Sequence, residues 1–140
     1  MLTILLDPEA QDDLRLLAVT DPLVITRFTA FVEQARSDPD LLHALTTHSF
    51  NDANIEVMRW IEQHNNDRAI WRLRFCCFGK RRPDYRVFYC IGDQRLSDKR
   101  SVVHILGIKK REEIDYDDSK HPISQRIISA YARYTSRPYK

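Results

Sequence analysis

The chain has 140 residues, 43% of them hydrophobic and 30% charged, which suits one soluble globular domain and excludes a disordered chain. No apolar run approaches the roughly 20 residues of a membrane span, and the opening MLTILLDPEA lacks the basic start of a signal peptide. The formal net charge of +2 hides a strong asymmetry. Residues 1–67 hold 4 Lys and Arg against 12 Asp and Glu, residues 68–111 hold 13 against 3, and residues 112–140 hold 5 of each. Fields act locally, so the middle third is a candidate polyanion-binding region unless the acidic N-terminal part neutralises it.

Cys76, Cys77 and Cys90 cannot all pair within the chain, and reduced thiols in a cytoplasmic protein are the simpler expectation. Gly79, Gly92 and Gly107 cannot supply a Walker loop or a GxGxxG turn. His43 and His48 do not share a helix face, no CxxC is present, and no GxSxG elbow occurs. Neither a metal nor a cofactor is expected.

In chain order, Leu2 to Leu6 reads as a first strand. Asp7-Pro8 starts a helix to about Val19, with Ala10, Leu14, Leu17 and Ala18 on one stripe. Asp21-Pro22 repeats the signal, and Val24, Ile25, Phe28, Phe31, Val32 and Ala35 keep helical spacing up to Ser37-Asp38-Pro39. The two segments predict a helical hairpin. Asp40 to Asn65 predicts one or two short helices, with a cap at Asn51 or Asp52.

The period then changes to two. In Ala69 to Phe78, Trp71, Leu73, Phe75 and Cys77 oppose Arg72, Arg74 and Cys76. In Tyr85 to Ile91, Tyr85, Val87, Tyr89 and Ile91 oppose Arg86, Phe88 and Cys90. With Ser101 to Ile108 these make a three-stranded antiparallel meander. A last amphipathic helix from about Ser124 to Tyr134 offers Ile127, Ile128, Tyr131 and Tyr134. The expected fold is α+β: an N-terminal helical hairpin on one face of an antiparallel sheet, made of the first strand and the meander, followed by a C-terminal helix. The arginines are expected on the other face.

Arg72 and Arg74 emerge about 7 Å apart on one face of their strand, and Arg86 can lie across from them. Like charges so gathered make sense around an anion, and guanidinium forks suit phosphate. Lys80, Arg81 and Arg82 in the turn and Lys109, Lys110 and Arg111 after the last strand extend the field. Phe88, in the alternation set of Arg86, is a candidate stacking platform for an RNA base, or else covers its neighbours' alkyl stems. Tyr116, beyond the last basic cluster, suits proton transfer because nearby cations favour an ionised phenol. Packing is its plainer role, and His104 is expected to be a satisfied core histidine.

WRLRF, then DYRVFY after a basic turn, then VVHILGIKKREEIDY resemble the RelE/ParE superfamily of toxins from type II toxin–antitoxin systems. The resemblance spans most of a single domain over residues 1–140, with residues 40–66 as a helical insertion. For the RelE branch it implies an mRNA interferase, a metal-independent endoribonuclease that cuts mRNA on the ribosome by 2′-OH attack on the adjacent phosphate. The resemblance also implies growth arrest through blocked translation, and a cognate antitoxin bound in a hetero-oligomer. By position, Arg72 and Arg74 match the basic strand residues, Arg86 the central arginine, Lys110 or Arg111 the later cation and Tyr116 the C-terminal tyrosine. The expected catalytic set is therefore Arg74, Arg86, Lys110, Arg111 and Tyr116. Arg72, Lys80, Arg81, Arg82, Phe88 and Lys109 are expected to bind RNA. Arginines stand where the family has lysines, so proton transfer falls on Tyr116. The alternatives are a ParE-like inhibitor of DNA gyrase and a non-catalytic RNA- or protein-binding module on the same fold.

Overall fold

The computed structural model describes residues 2–38, 40–51, 55–75, 85–92, 101–114, 116–118 and 120–135. The basic turn with Lys80, Arg81 and Arg82, and Cys76 and Cys77, lie outside them. Strand β1 (Leu2–Leu6) leads into α1 (Pro8–Thr20) and α2 (Pro22–Ser37). Asp7 caps α1 by accepting the Glu9 N–H at 3.0 Å, and Pro8 occupies a first-turn position whose N–H would have no helical partner. The second Asp-Pro pair acts differently. Asp21 makes no side-chain cap to α2 and instead accepts a hydrogen bond from the Tyr85 hydroxyl at 3.5 Å, which ties the hairpin bend to the sheet.

The segment expected to be helical is mixed. It holds a short α3 (Leu41–Leu45), β2 (Phe50–Asn51), β3 (Ile55–Arg59) and one helical turn, α4 (Ile61–His64). Asn51 is thus a strand residue and Asp52 lies outside the described residues. The period-two signal is present in Ile55 and Val57, both buried, against the half-buried Glu56 and Met58. Over so short a stretch, followed directly by Trp60 and Ile61, it resembles a helical stripe. Strands β4 (Trp71–Phe75), β5 (Tyr85–Ile91) and β6 (Ser101–Lys110) complete the meander, and α5 (Pro122–Thr135) ends the described chain.

The six described strands form one sheet in the order β1-β6-β5-β4-β3-β2, with β1 parallel to β6 and the other pairs antiparallel. The α+β class and the helical hairpin, meander and C-terminal helix are as the sequence predicts; β2 and β3 widen the sheet.

Both sheet faces are covered. On one, Val24, Phe28, Phe31 and Ala35 of α2 and Ala10 and Leu17 of α1 pack on Leu73, Val87, Tyr89, Val103 and Ile105. Each large side chain buried there contributes about 1.5–3 kcal/mol. Ala18, expected on the buried stripe, is exposed, and Asp13 is buried in its place. On the other face, where the arginines are expected, Ile127 and Ala130 of α5 close over Phe88, Cys90, Leu106 and Ile114. Among the described residues, no helix is long and apolar enough to cross a membrane.

A carboxylate clasp joins α1 to α5. Strand β1 pairs with β6 only as far as Ile105, and a register shift lies opposite Phe88 and Tyr89. Beyond it, Asp13 accepts the Ile108 N–H at 2.9 Å. The same carboxylate takes Arg126 of α5 at 3.0 Å and Lys109 Nζ at 3.1 Å, while Arg126 also holds Glu9 at 2.6 Å. At the N-cap of α1, Asp7 receives Arg133 at 2.8 Å and the Tyr134 hydroxyl at 2.6 Å. Burial pushes the Asp7 carboxyl up, but its bonds from Tyr134, Arg133 and the Glu9 N–H outweigh this and hold it below 3.8. His104, half-buried, stacks on Tyr134 with centroids 4.0 Å apart, and burial lowers its pKa against the pull of Asp7. Gly92 permits this packing, because a Cβ there would lie 2.8 Å from His104 Nε2.

Asp13→Ala leaves Arg126 and Lys109 without their shared carboxylate and should cost about 3–5 kcal/mol in urea unfolding. On acidification, His104 charges more readily unfolded than folded, so stability should begin to fall below about pH 6.5. Asp7 holds its proton less readily folded than unfolded, so a further loss should appear below about pH 3.8. A urea midpoint that stays flat from pH 7 to 3 would contradict both assignments.

Candidate functional site

Alternation along β4 turns Trp71 and Leu73 toward the hairpin and Arg72 and Arg74 toward the α5 side. The two arginines meet different neighbours. Arg74 sits across from Glu56 of β3 and pairs with it at 2.8 Å. Arg72 sits between Met58 of β3 and Phe88 of β5, and its guanidinium carbon lies 4.1 Å from the centre of the Tyr116 ring. Arg86, two residues before Phe88, shares that face, is half-buried and lies across from Lys109. Its Nη1 donates to the Tyr85 carbonyl at 3.4 Å.

The chain after β6 supplies the rest. A 3-10 turn (Arg111–Glu113) is fixed where Glu113 accepts the Lys110 N–H at 3.0 Å, and Ile114 plugs into the second core. Arg111, exposed, places its guanidinium carbon 4.7 Å from the centre of the Tyr116 ring. Lys110 pairs with Tyr85 on the hairpin side, where it borders a cleft with Leu16, Leu17 and Thr20. Of the two residues that could match the later cation, the fold therefore brings Arg111, and not Lys110, to the tyrosine.

Tyr116 is held by an aromatic triad that the sequence did not reveal. Trp60 is 1% exposed, meets Tyr116 edge-on with centroids 5.7 Å apart and donates its indole N–H to the Tyr116 carbonyl at 3.2 Å. Phe88 lies 5.4 Å from Trp60 and 6.2 Å from Tyr116. Such tilted contacts suit the ring quadrupoles. The result corrects the expectation for Phe88. It is fully buried, so it offers no face to a base and instead supports Tyr116 from below.

Two polar atoms stand out. The Tyr116 hydroxyl oxygen and Arg72 Nε are buried and have no hydrogen-bond partner among the described residues. Buried polar atoms are almost always satisfied, and leaving one unmade costs about 1–3 kcal/mol. Both residues line a cavity of about 470 Å³ together with Trp60, Ile61, Glu62, Asn65 and Asp117. Trp60 and the α4 residues come from the segment whose contribution to a site was not predicted. No local pattern marks them, because they reach Tyr116 only through the pairing of β3 with β4.

The expected basic field is thus divided. Arg72, Arg111 and Tyr116 come together, with Arg86 on the same face. Arg74 is paired with Glu56, and Lys109, 17% exposed, is paired with Asp13, so these two expected cations serve the fold as ion pairs. Lys110 faces elsewhere. Trp60→Phe should test the support of Tyr116: losing the indole N–H should cost about 1 kcal/mol and shift the Tyr116 ring resonances in an NMR spectrum, whereas unchanged resonances would detach Trp60 from the site. No protein-family model, no curated protein and no solved structure matches this chain, so the geometry of Tyr116 and its arginines is what bears on function.

Proposed function

We propose that this chain is the toxin of a type II toxin–antitoxin system, a RelE-like endoribonuclease that cuts mRNA. The observation that carries it is the Tyr116 hydroxyl, buried without a partner among the described residues while two guanidinium carbons lie 4.1 and 4.7 Å from its ring centre. RNA cleavage by the neighbouring 2′-OH forms an O2′–P bond and breaks the P–O5′ bond. It leaves a 2′,3′-cyclic phosphate and a 5′-hydroxyl. The step needs cations for the charge that develops on phosphorus-bound oxygens and a group that moves a proton. Arg111 and Arg86 are the cations, and a preorganised donor of this kind is worth about 3–4 kcal/mol. Arginine stays charged at neutral pH, so the Tyr116 phenol gives its proton to O5′ as the P–O5′ bond breaks, and solvent water takes the proton from the attacking 2′-OH. Arg72 positions that phenol from the β4 side. A cognate antitoxin would silence the chain by covering Arg111 and the cavity mouth.

A second reading, an RNA- or protein-binding module without catalysis, is favoured by the ion pairs of Arg74 and Lys109, which leave fewer cations for chemistry than the sequence offers.

The test is expression in a bacterium with mapping of mRNA 5′ ends. Cuts inside translated frames are expected for the native chain. Arg111→Ala, Arg86→Ala and Tyr116→Phe should each lower cutting about 100-fold or more, while Lys110→Ala, directed to the other face, should arrest growth as the native chain does. Growth arrest with intact mRNA points to gyrase inhibition. RNA binding without either points to the module.

A further inference from the structure

A second group of basic side chains lies where β3 ends and α4 begins. Arg59, exposed, is the last residue of β3 and pairs with Trp71 of β4. Its guanidinium carbon lies 5.6 Å from the centre of the Trp71 ring. His64, half-buried, meets the same ring edge-on with centroids 5.2 Å apart. His48 comes from the turn before β2. Ser49, in the left-handed region at φ 66°, folds that turn back onto β3, where its N–H reaches the Val57 carbonyl at 2.9 Å. The exposed His48 then accepts the Arg59 N–H on Nδ1 at 3.1 Å. Burial, followed by the charges of Arg59 and His48, lowers the pKa of His64 against the help of the Ile70 carbonyl, so the three basic groups lie close enough to act on one another. Arg74 and Lys109 have their carboxylates. Among the described residues, no carboxylate pairs with Arg59, His48 or His64.

We propose that Arg59, His48 and His64 form a binding site for a tetrahedral dianion, the phosphate group of free phosphate or of a small phosphomonoester. The hydrogen bonds fix which ring nitrogens can serve it. His48 accepts on Nδ1, so its proton stands on Nε2 as a neutral donor. His64 Nε2 lies 3.0 Å from the Ile70 carbonyl oxygen, which can only accept, so Nε2 carries the proton and a second proton goes to Nδ1. The Arg59 guanidinium, held by a ring rather than by a carboxylate, keeps its fork of N–H donors for two oxygens of the anion. Charging His64 adds a further donor and a second positive charge. That charge is opposed while Arg59 stands alone beside it and is favoured once a dianion lies between them. The same guanidinium disfavours a metal cation at the two imidazoles. Trp71 is 7% exposed and offers no stacking face, so recognition rests on the anion itself. The site adjoins α4, whose Ile61 and Glu62 line the cavity beside Tyr116, but it shares no residue with that cavity and does not depend on the nuclease reading.

Sulfate is the first probe, because it stays a dianion across the histidine titration range and any pH dependence is then the protein's own. Binding is followed on the histidine Cε1–H resonances of the native chain at constant ionic strength, with chloride as the reference salt. Saturating sulfate should raise the His64 pKa by about one unit, and by linkage sulfate should bind the charged form about tenfold tighter than the neutral one. Affinity should therefore fall as the pH rises through the His64 titration. His43, His104 and His121 should titrate as they do in chloride. Inorganic phosphate and methyl phosphate, compared at one pH near neutrality, then separate the two sources. Binding of inorganic phosphate alone identifies free phosphate as the ligand, and binding of methyl phosphate identifies a phosphomonoester. Dimethyl phosphate, a monoanion with two oxygens blocked, should bind about tenfold weaker than methyl phosphate or more weakly still. Arg59→Gln, at an exposed position, should abolish the sulfate effect on His64. The site is overturned by a His64 pKa that rises no further in sulfate than in chloride, or by equal movement of all five histidines. It is overturned equally by failure of both inorganic and methyl phosphate to bind, by dimethyl phosphate binding as tightly as methyl phosphate, or by a sulfate effect that survives Arg59→Gln. All arms but one use the native chain, so refutation does not depend on how the variant folds.

Discussion

The structure depends on carboxylates of α1 gripping cations of α5 across the unpaired end of β6. Strand β1 stops pairing at Ile105, which leaves the rest of β6 with an open edge on that side, and an open edge carries backbone groups that need partners. Asp13 fills one such place by accepting the Ile108 N–H, and the charge it buries there is compensated by Arg126 and Lys109. Because Arg126 belongs to α5, sealing the edge also pins the helix that covers the second face. That helix buries Ile127 and Ala130 against Phe88 and Ile114. Phe88 and Ile114 in turn set the floor and the approach of Tyr116. The placement of the candidate site therefore depends on an ion-pair cluster remote from it, through an unbroken chain of packed side chains.

The same cluster explains how a chain with so uneven a charge distribution is stable. The acidic N-terminal part does neutralise the basic middle, but selectively. Asp13 takes Lys109 and Glu56 takes Arg74, both at positions fixed by strand register or helix packing. Arg72 and Arg111 are instead directed onto an aromatic ring. Cation–π contact of this kind stabilises a guanidinium modestly and does so without consuming its N–H donors. An arginine held by a carboxylate has its strongest bonds already made, whereas one held by a ring keeps them for a ligand.

What was legible in the sequence was whatever local chemistry decides. Asp7-Pro8 announces α1 because a cap and a proline act within one turn, and the alternation of Trp71 to Arg74 announces β4 because side chains on a strand must alternate. The second Asp-Pro shows the boundary of such inference. Its proline starts α2 as expected, but its carboxylate is drawn away by Tyr85, a residue far along the chain. Strand β3 is hard to read from the sequence because five residues of alternation beside Trp60 and Ile61 fit a helix as well as a strand, and only pairing with β4 decides between them. Phe88 lies on the face its alternation predicts, but its burial comes from α5 and Trp60, which no local pattern announces, and this leaves it a packing role. Asp13 was invisible for a related reason: a carboxylate on the buried side of a helix looks like an error until its partners arrive from β6 and α5.

The candidate site repeats this division between local and remote causes. Arg72, Arg111 and Tyr116 could each be singled out by type and spacing, and the choice between Lys110 and Arg111 could not, because one residue along a strand reverses the face. The register of β5 with β6 resolves it: Lys110 pairs with Tyr85 on the hairpin side, and the 3-10 turn that follows swings Arg111 back over Tyr116. Trp60 then locks the tyrosine backbone through its indole N–H, so that the phenol is held from the sheet, from the turn and from the 40–66 segment at once. A phenol so held keeps its hydroxyl without a partner among the described residues, beside the cavity that Tyr116 lines. The stability forgone at that hydroxyl is small beside the packing that surrounds it. A ligand able to pair with Tyr116 and Arg72 together would recover it, since an unmade buried hydrogen bond costs more than a made one returns.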